Sequence, residues 1–330
     1  MRPVAEATRT HDVVVAEDVW GGPFDELAAR WGVTQGADLW SDAQRLSEAC
    51  RGARALVVRN RTQVDKALLA SCPDLQIVAR AGVGLDNIDL EAANAAGVVV
   101  SAPLGANARS VAEHALGLAL ALAQQTPRRD REVRGGSWDR RPGRELCGGT
   151  WGLLGAGATA RECGRLASGL GMSVLAYDPY VSPDSPALCE AGIRLAPLTE
   201  VVATSDVVSC HLPATPETTG MIDESLLSQF KETALFINVG RGEVVDESAL
   251  ADALEAGRIA GAGLDVRATE PPTTGRLETL PNTILTPHIA GITGASQHRI
   301  LEVLATDITA VLGGEAARSA VGAVTKGRES

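Results

Sequence analysis

Aromatic side chains are scarce: the 330 residues hold two tyrosines, three phenylalanines and five tryptophans, 3% in all. A core must then be built from small aliphatic side chains, which suits close α/β layering better than a β-sandwich. Basic runs are missing too, and the formal charge is −11. That excludes the basic footprint of a nucleic-acid binder and disfavours an anionic membrane surface. No apolar run reaches the roughly eighteen residues of a membrane span without a glycine or polar interruption. The opening MRPVAEATRTHD has no apolar signal core, so a cytoplasmic protein is expected. Cys50, Cys72, Cys147, Cys163, Cys189 and Cys210 have no paired spacing. Neither zinc nor a disulfide framework is expected, and the thiols read as reduced and structural.

What is plentiful is glycine, 35 residues, within a composition that is 45% hydrophobic. A chain this long exceeds one compact core and suggests two domains. Short β-branched runs alternate with helical stretches, the pattern of a mostly parallel sheet covered by helices. DVVVAED, ARALVVRN, LQIVARAG and GVVVSAP read as four buried strands. Residues 107–125 read as one long helix, apolar on nearly every side, with Asn107 placed to cap it. A polar, arginine-rich stretch follows over residues 126–146, and then come six more strands: TWGLLG, MSVLAYD, DVVSCHL, ALFINVG, AGAGLDV and NTILTPH. No repeat is visible, and the last dozen residues, ending TKGRES, are expected to fray.

One motif opens the second series. Gly155-Ala156-Gly157-Ala158-Thr159-Ala160 follows a strand and starts a helix, the G-x-G-x-x-A arrangement of a dinucleotide turn. Gly155 permits the tight turn, Gly157 admits a pyrophosphate, and Ala160 lets helix and strand pack closely. The helix N-terminus offers N–H groups to the anion. Asp178 ends the next strand, where a carboxylate accepts the ribose hydroxyls and repels an extra phosphate; NAD rather than NADP is expected. Three ionisable residues then stand at the ends of later strands. Arg241 lies between two glycines that leave its guanidinium unobstructed for a carboxylate. Glu270 precedes Pro271, and His288 sits in TPHIAG. Singly these read as a surface ion pair, a loop carboxylate and a core histidine. Together they fall where open α/β sheets place active sites.

In order and spacing, RAGVGLDNID, GANARSVAEHALGLALAL, GAGATA, VLAYDPY, HLPATPETTGMI, INVGRGEVVDE, GAGLDV, EPP and TPHIAG resemble the NAD-dependent D-2-hydroxyacid dehydrogenase family, most of all its D-3-phosphoglycerate dehydrogenases. The resemblance covers roughly Leu56 to Thr293. It implies two doubly wound parallel-sheet domains, a Rossmann-type cofactor domain inserted into a flavodoxin-like substrate domain, with the cleft between them. Residues 1–104 and 288–330 would form the substrate domain and residues 105–287 the NAD-binding domain. Arg241, Glu270 and His288 fall on the family's catalytic triad. Gly155, Gly157, Ala158, Thr159, Asp178, His211, Pro213, Thr218, Asn238, Gly240, Asp265 and Gly291 fall on its cofactor positions, with Asp265 at the nicotinamide carboxamide. Arg59, Arg61, Val83, Gly84 and Asn107 fall on substrate positions, although Asn107 reads equally as the helix cap.

The activity so implied is interconversion of a D-2-hydroxy acid and its 2-oxo acid, on a phosphoglycerate-like substrate or one with another second anionic group. A homodimer through the long helix and GGSWDR is also implied. A hydroxypyruvate or glyoxylate reductase, a phosphite-type dehydrogenase and a non-catalytic NAD-dependent binding protein stay open. Thr159, Gly149 and Trp151 depart from the family pattern and put cofactor grip in doubt. The chain ends soon after the last motif, so serine feedback through an appended domain is not expected. His11, His114 and His298 receive no role.

Overall fold

The computed structural model describes residues 12–19 and 21–328; His11 lies outside the described residues. Cα packing divides the chain into two units, Met1–Asn107 with Gly294–Ser330, and Ala108–Thr293.

Among the described residues the first unit holds five strands: β1 Val13–Val15, β2 Val33–Gln35, β3 Ala55–Val58, β4 Ile77–Arg80 and β5 Val99–Ser101. They form one parallel sheet in the order β2-β1-β3-β4-β5, a flavodoxin-like winding. Successive side chains of a strand point to opposite faces. Val13 and Val15 therefore enter a core with Phe24, Leu27, Ile300, Leu304 and Ile308. Val14 enters the other, with Leu46, Leu68 and Ala93. Burial on both faces explains why these strands read as unbroken apolar runs.

The second unit is a seven-stranded parallel sheet. Its strands are β6 Thr150–Leu154, β7 Ser173–Tyr177, β8 Ile193–Leu195, β9 Val207–Cys210, β10 Leu235–Asn238, β11 Gly261–Leu264 and β12 Thr283–Leu285. The order β12-β11-β10-β9-β6-β7-β8 is doubly wound and reverses between β6 and β9. Trp151, Leu153, Val207 and Ile237 pack with the helices Ala108–Ala123 and Ala158–Gly169 on one face. Leu154, Val208 and Phe236 pack with the helix Glu247–Glu255 on the other.

All ten expected strands are present, and two more, β2 and β8, complete the sheet edges. Each has three residues and includes a polar one, Thr34 or Arg194, because an edge strand faces water on one side. The polar stretch contains an unexpected helix, Thr126–Arg134, with no buried residue. Proline near its start and the i,i+4 pairs Arg128–Glu132 and Asp130–Arg134 support it without an apolar stripe.

Three expectations are corrected. The units meet at residues 107/108 and 293/294 rather than at 104/105 and 287/288. The segment after His288 stays with the second unit because Asp265 binds its backbone and Ser110 Oγ lies 2.8 Å from Thr293 Oγ1. The closing segment is tied down as far as Arg328, whose guanidinium donates to the carbonyls of Cys72, Leu75 and Ala96 at the ends of two helices. Asn107 makes no side-chain cap: its Oδ1 is buried without a partner. Among the described residues no helix is long and apolar enough to cross a membrane, and no cluster of metal-ligating side chains occurs.

Candidate active site

Three neighbouring strands of the second unit release one ionisable residue each beyond their carboxyl ends: Arg241 after β10, Glu270 after β11 and His288 after β12. His288 Nδ1 lies 2.7 Å from Glu270 Oε2. Burial would raise the Glu270 carboxyl. The His288 hydrogen bond, the Arg267 backbone N–H and the charges of His288 and Arg241 outweigh it and hold the group below its usual value. The carboxylate is thus ionised, fixes one ring nitrogen as a donor, and leaves Nε2 for other chemistry.

The segments that carry these side chains are held by bonds within the second unit. Arg267 donates to both Glu247 oxygens at 2.9 Å and also pairs with Glu278, while its own N–H meets Glu270 Oε1 at 3.1 Å. This largely buried fork fixes the loop that carries Glu270. His288 itself has a φ of 54°, a left-handed conformation that costs a non-glycine residue about 1–2 kcal/mol. Asp265, almost fully buried, supports it. Its carbonyl accepts the His288 N–H at 2.7 Å. Its carboxylate accepts the N–H groups of Ile289 and Ala290 at 2.9 and 2.8 Å and the Thr286 hydroxyl at 2.6 Å. With the Thr286 proton so committed, His114 Nε2, 3.0 Å from Thr286 Oγ1, must be the donor there. His114, given no role from sequence, thereby completes a chain that ends at the histidine loop.

The glycines around Arg241 have a different reason from the expected one. A Cβ on Gly242 would lie 1.9 Å from the Arg267 carbonyl carbon, and one on Gly240 would lie 2.7 Å from the Leu212 oxygen. They admit neighbouring backbone rather than clearing space for the guanidinium. Asn238 locks the same turn, accepting from Gly240 N–H at 3.1 Å and donating to the Arg241 carbonyl at 3.0 Å.

Residues 116–290 match the model of the D-isomer specific 2-hydroxyacid dehydrogenase family, NAD binding domain. The (S)-sulfolactate dehydrogenase of Chromohalobacter salexigens is 41% identical over 311 residues, 92% of this chain and 98% of that protein. The chain belongs to the D-isomer specific 2-hydroxyacid dehydrogenase family. Another member, the D-3-phosphoglycerate dehydrogenase of Mycobacterium tuberculosis, is 43% identical over 300 residues, 90% of this chain and 55% of that protein. The chain thus spans about half the length of the phosphoglycerate dehydrogenases it matches. A crystal structure of a protein from Thermus thermophilus superposes with a TM-score of 0.85 at 31% identity, covering 94% of this chain and 99% of that one.

The family's NAD-type cofactor fits the residues present. Gly155 has a φ of 97°, as its turn requires. A Cβ on Gly157 would meet nothing, so the space there is open, and the N-terminus of the helix Ala158–Gly169 carries no side-chain cap. First-turn N–H groups, those of Ala158 and Thr159 included, face no competitor from a capping side chain. Asp178 bridges the turn, accepting from Ala156 N–H and Tyr180 N–H, both at 2.9 Å. One oxygen lies on each bond, and further lone pairs remain for ribose hydroxyls. Within HLPATPETTG the Thr218 hydroxyl donates to the Pro213 carbonyl at 2.6 Å, so it orders the loop. Gly149 does not weaken this site, because it stands at the opposite, amino end of β6, where a Cβ would press on Asp206. Trp151 is core, wholly buried.

In the first unit the family member carries a separate set. The carboxylate of buried Glu17 accepts the backbone N–H groups of Arg59, Arg61 and Thr62 at 2.7 to 3.1 Å. Burial pushes that carboxyl up, but the N–H groups of Thr62, Arg59 and Arg61 bring it below its usual value. The Arg61 guanidinium stacks on Trp40 at 4.7 Å, whereas the Arg59 side chain bonds to none of the described residues. The N–H groups of Val83 and Gly84 likewise donate to nothing among the described residues. Beneath that turn runs buried Arg80, whose guanidinium fills the space a Gly82 Cβ would need. Sequence reading missed Glu17, Arg80 and Arg267, since nothing in one sequence says which surface-type residue folds inward.

Proposed function

We propose that the protein interconverts a D-2-hydroxy acid and its 2-oxo acid, with NAD as the hydride carrier and a substrate that bears a second anionic group. The observation that carries the reading is the 2.7 Å contact of His288 with Glu270, in the field of Arg241. Reduction of a carbonyl leaves negative charge on oxygen, and His288 Nε2 would protonate it; oxidation would use the neutral ring as base, a step worth ~10²–10⁴ in rate. Bound NAD supplies or accepts the hydride at the carbon that bears this oxygen. Arg241 would hold the substrate carboxylate. Asp178 favours NAD over NADP by charge repulsion at the ribose.

The second anionic group is supported by the guanidinium of Arg59, which bonds to none of the described residues, on a loop that Glu17 keeps in place; the Asn107 Oδ1, buried without a partner, is a point for a substrate hydroxyl. A phosphate or a sulfonate has the right chemistry for the arginine. The test is NADH oxidation with glyoxylate, hydroxypyruvate and their phosphorylated and sulfonated relatives, beside NAD reduction with formate and phosphite. The reading expects kcat/KM to favour the doubly anionic acids. Equal values for glycerate and 3-phosphoglycerate would remove the second-anion assignment, and turnover only with phosphite would replace the reaction itself.

A cytoplasmic homodimer belongs to the same proposal. Trp138, 79% exposed, and the exposed Val133 and Leu120 give the arm and long helix apolar side chains for a second copy. Sedimentation of wild type and Trp138→Glu checks this: a dimer that the variant splits supports it, and a monomeric wild type refutes it.

A further inference from the structure

The helices Ala43–Ala49 and Lys66–Ser71 lie side by side on one face of the first sheet, where Leu46, Leu68 and Leu69 share a core with Val14 and Leu56. Contacts join them at both ends. Just ahead of their first turns the Arg61 guanidinium covers the Trp40 ring at 4.7 Å. Farther along, the Ser47 and Ser71 hydroxyls are 3.2 Å apart. At the other end Cys50 closes the first helix and Cys72 the second, and their thiols share a hydrogen bond. Both cysteines are wholly buried in that same core.

The two sulfurs are not equivalent. The bond from Cys50, the Ser71 hydroxyl 3.5 Å away and the charge of Arg328 favour a Cys72 thiolate against the cost of burying it. The Cys50 thiol is pushed up by the same bond and by burial. A favoured thiolate beside a protonated thiol is the arrangement of an attacking and a resolving cysteine. Burial slows an oxidant without shutting it out, because Ser71 and Pro73 on either side of Cys72 and Arg51 after Cys50 are exposed, and the last turn of a short helix frays.

We propose that Cys50 and Cys72 are a reversible dithiol–disulfide pair, closed by hydrogen peroxide, that braces the two helices behind the loop of Arg59 and Arg61. The Cys72 thiolate attacks one peroxide oxygen, the O–O bond breaks, and a sulfenic acid and hydroxide result. The Cys50 sulfur then attacks the Cys72 sulfur, and the hydroxyl leaves with the Cys50 proton as water. Two thiols lose two electrons and two protons, and the peroxide becomes two waters. A bond of this transient, redox-responsive kind is the one a reducing compartment allows. It is independent of the proposed reaction.

The full chain, exposed to hydrogen peroxide, alkylated in denaturant and digested with trypsin, reports the bond by mass spectrometry. Wild type should yield residues 46–51 linked to residues 67–80, a product that dithiothreitol removes. Cys50→Ser should instead accumulate a Cys72 sulfenic acid that dimedone captures, and Cys72→Ser should give neither product. Hydrogen exchange of the amides of residues 59–64 should slow severalfold in oxidised wild type and return to its first rate on reduction. Cys50 and Cys72 both recovered as alkylated thiols, while the exposed Cys147 and Cys189 are oxidised, overturns the pair. A dimedone adduct on Cys50 in Cys72→Ser overturns the assignment of the attacking sulfur. A linked peptide with unchanged exchange overturns the brace. Wild type alone decides the pair, so a variant that fails to fold leaves the test standing.

Discussion

His288 owes its proton to Glu270 and its backbone to Asp265, and the two dependencies separate by experiment. His288→Ala removes only the proposed proton donor, so kcat should fall by ~10²–10⁴ while the NADH Kd from fluorescence titration stays at the wild-type value. An unchanged kcat would end the assignment. Asp265→Ala leaves the imidazole but strips three donors of their acceptor, so turnover should fall together with protection of the Ile289 and Ala290 amides in hydrogen exchange. That Arg241, Glu270 and His288 follow neighbouring strands was legible in sequence, because each stands beyond a strand end beside a proline or glycine. The supports of these residues were not: Asp265 was read for its cofactor position alone, and nothing in ARSVAEH tells that His114 ends in the same chain of bonds.

Loops here are held by single carboxylates that bind several N–H groups at once. Glu17 does this for the segment carrying Arg59 and Arg61, and its pKa is lowered in the fold. A lowered pKa adds stability that is fully present above the usual carboxyl value and is lost as pH falls through the folded value. Glu17→Gln should therefore cost about 1–3 kcal/mol at neutral pH, read from urea midpoints, with the gap from wild type narrowing as the medium is acidified below about pH 4.5. A gap that widens in acid would contradict the role. Gly242→Ala is the matching test for the Arg241 turn: its Cβ would overlap the Arg267 backbone, so a loss of about 3 kcal/mol or more, on the scale of a serious core clash, is expected. Among the elements, nine strands were readable because burial forces an apolar run, and the edge strand β12 from its adjacent Ile284 and Leu285. β2 and β8 were hidden since an edge strand has water on one side, and the helix Thr126–Arg134 because its support is charge pairing rather than periodicity.

At the level of the whole molecule, the second unit is one continuous stretch with a core on each face of its own sheet. Residues 108–293 expressed alone should unfold cooperatively and be stabilised by NAD, by about 2.7 kcal/mol at a hundredfold excess over Kd. A melting temperature that does not respond to NAD would show that the binding site needs more than this unit. The two-unit plan was visible from length and from the motif series. The junctions fell a few residues away from the expected places because they are set by hydrogen bonds such as Ser110 to Thr293, which no composition shift announces.

The first unit draws Ile300, Leu304 and Ile308 of the helix Gly294–Leu312 into the core beneath Val13, Val15 and Ile77. On a translating ribosome its sheet emerges first, yet one side of it, covered only in part by Phe24 and Leu27 of the helix Gly22–Arg30, stays incomplete until the helix Gly294–Leu312 has been made. The inserted unit leaves the exit tunnel with all its own covering helices and can finish while the earlier strands still wait, so the part synthesised first is the last to mature and the one most in need of chaperone cover.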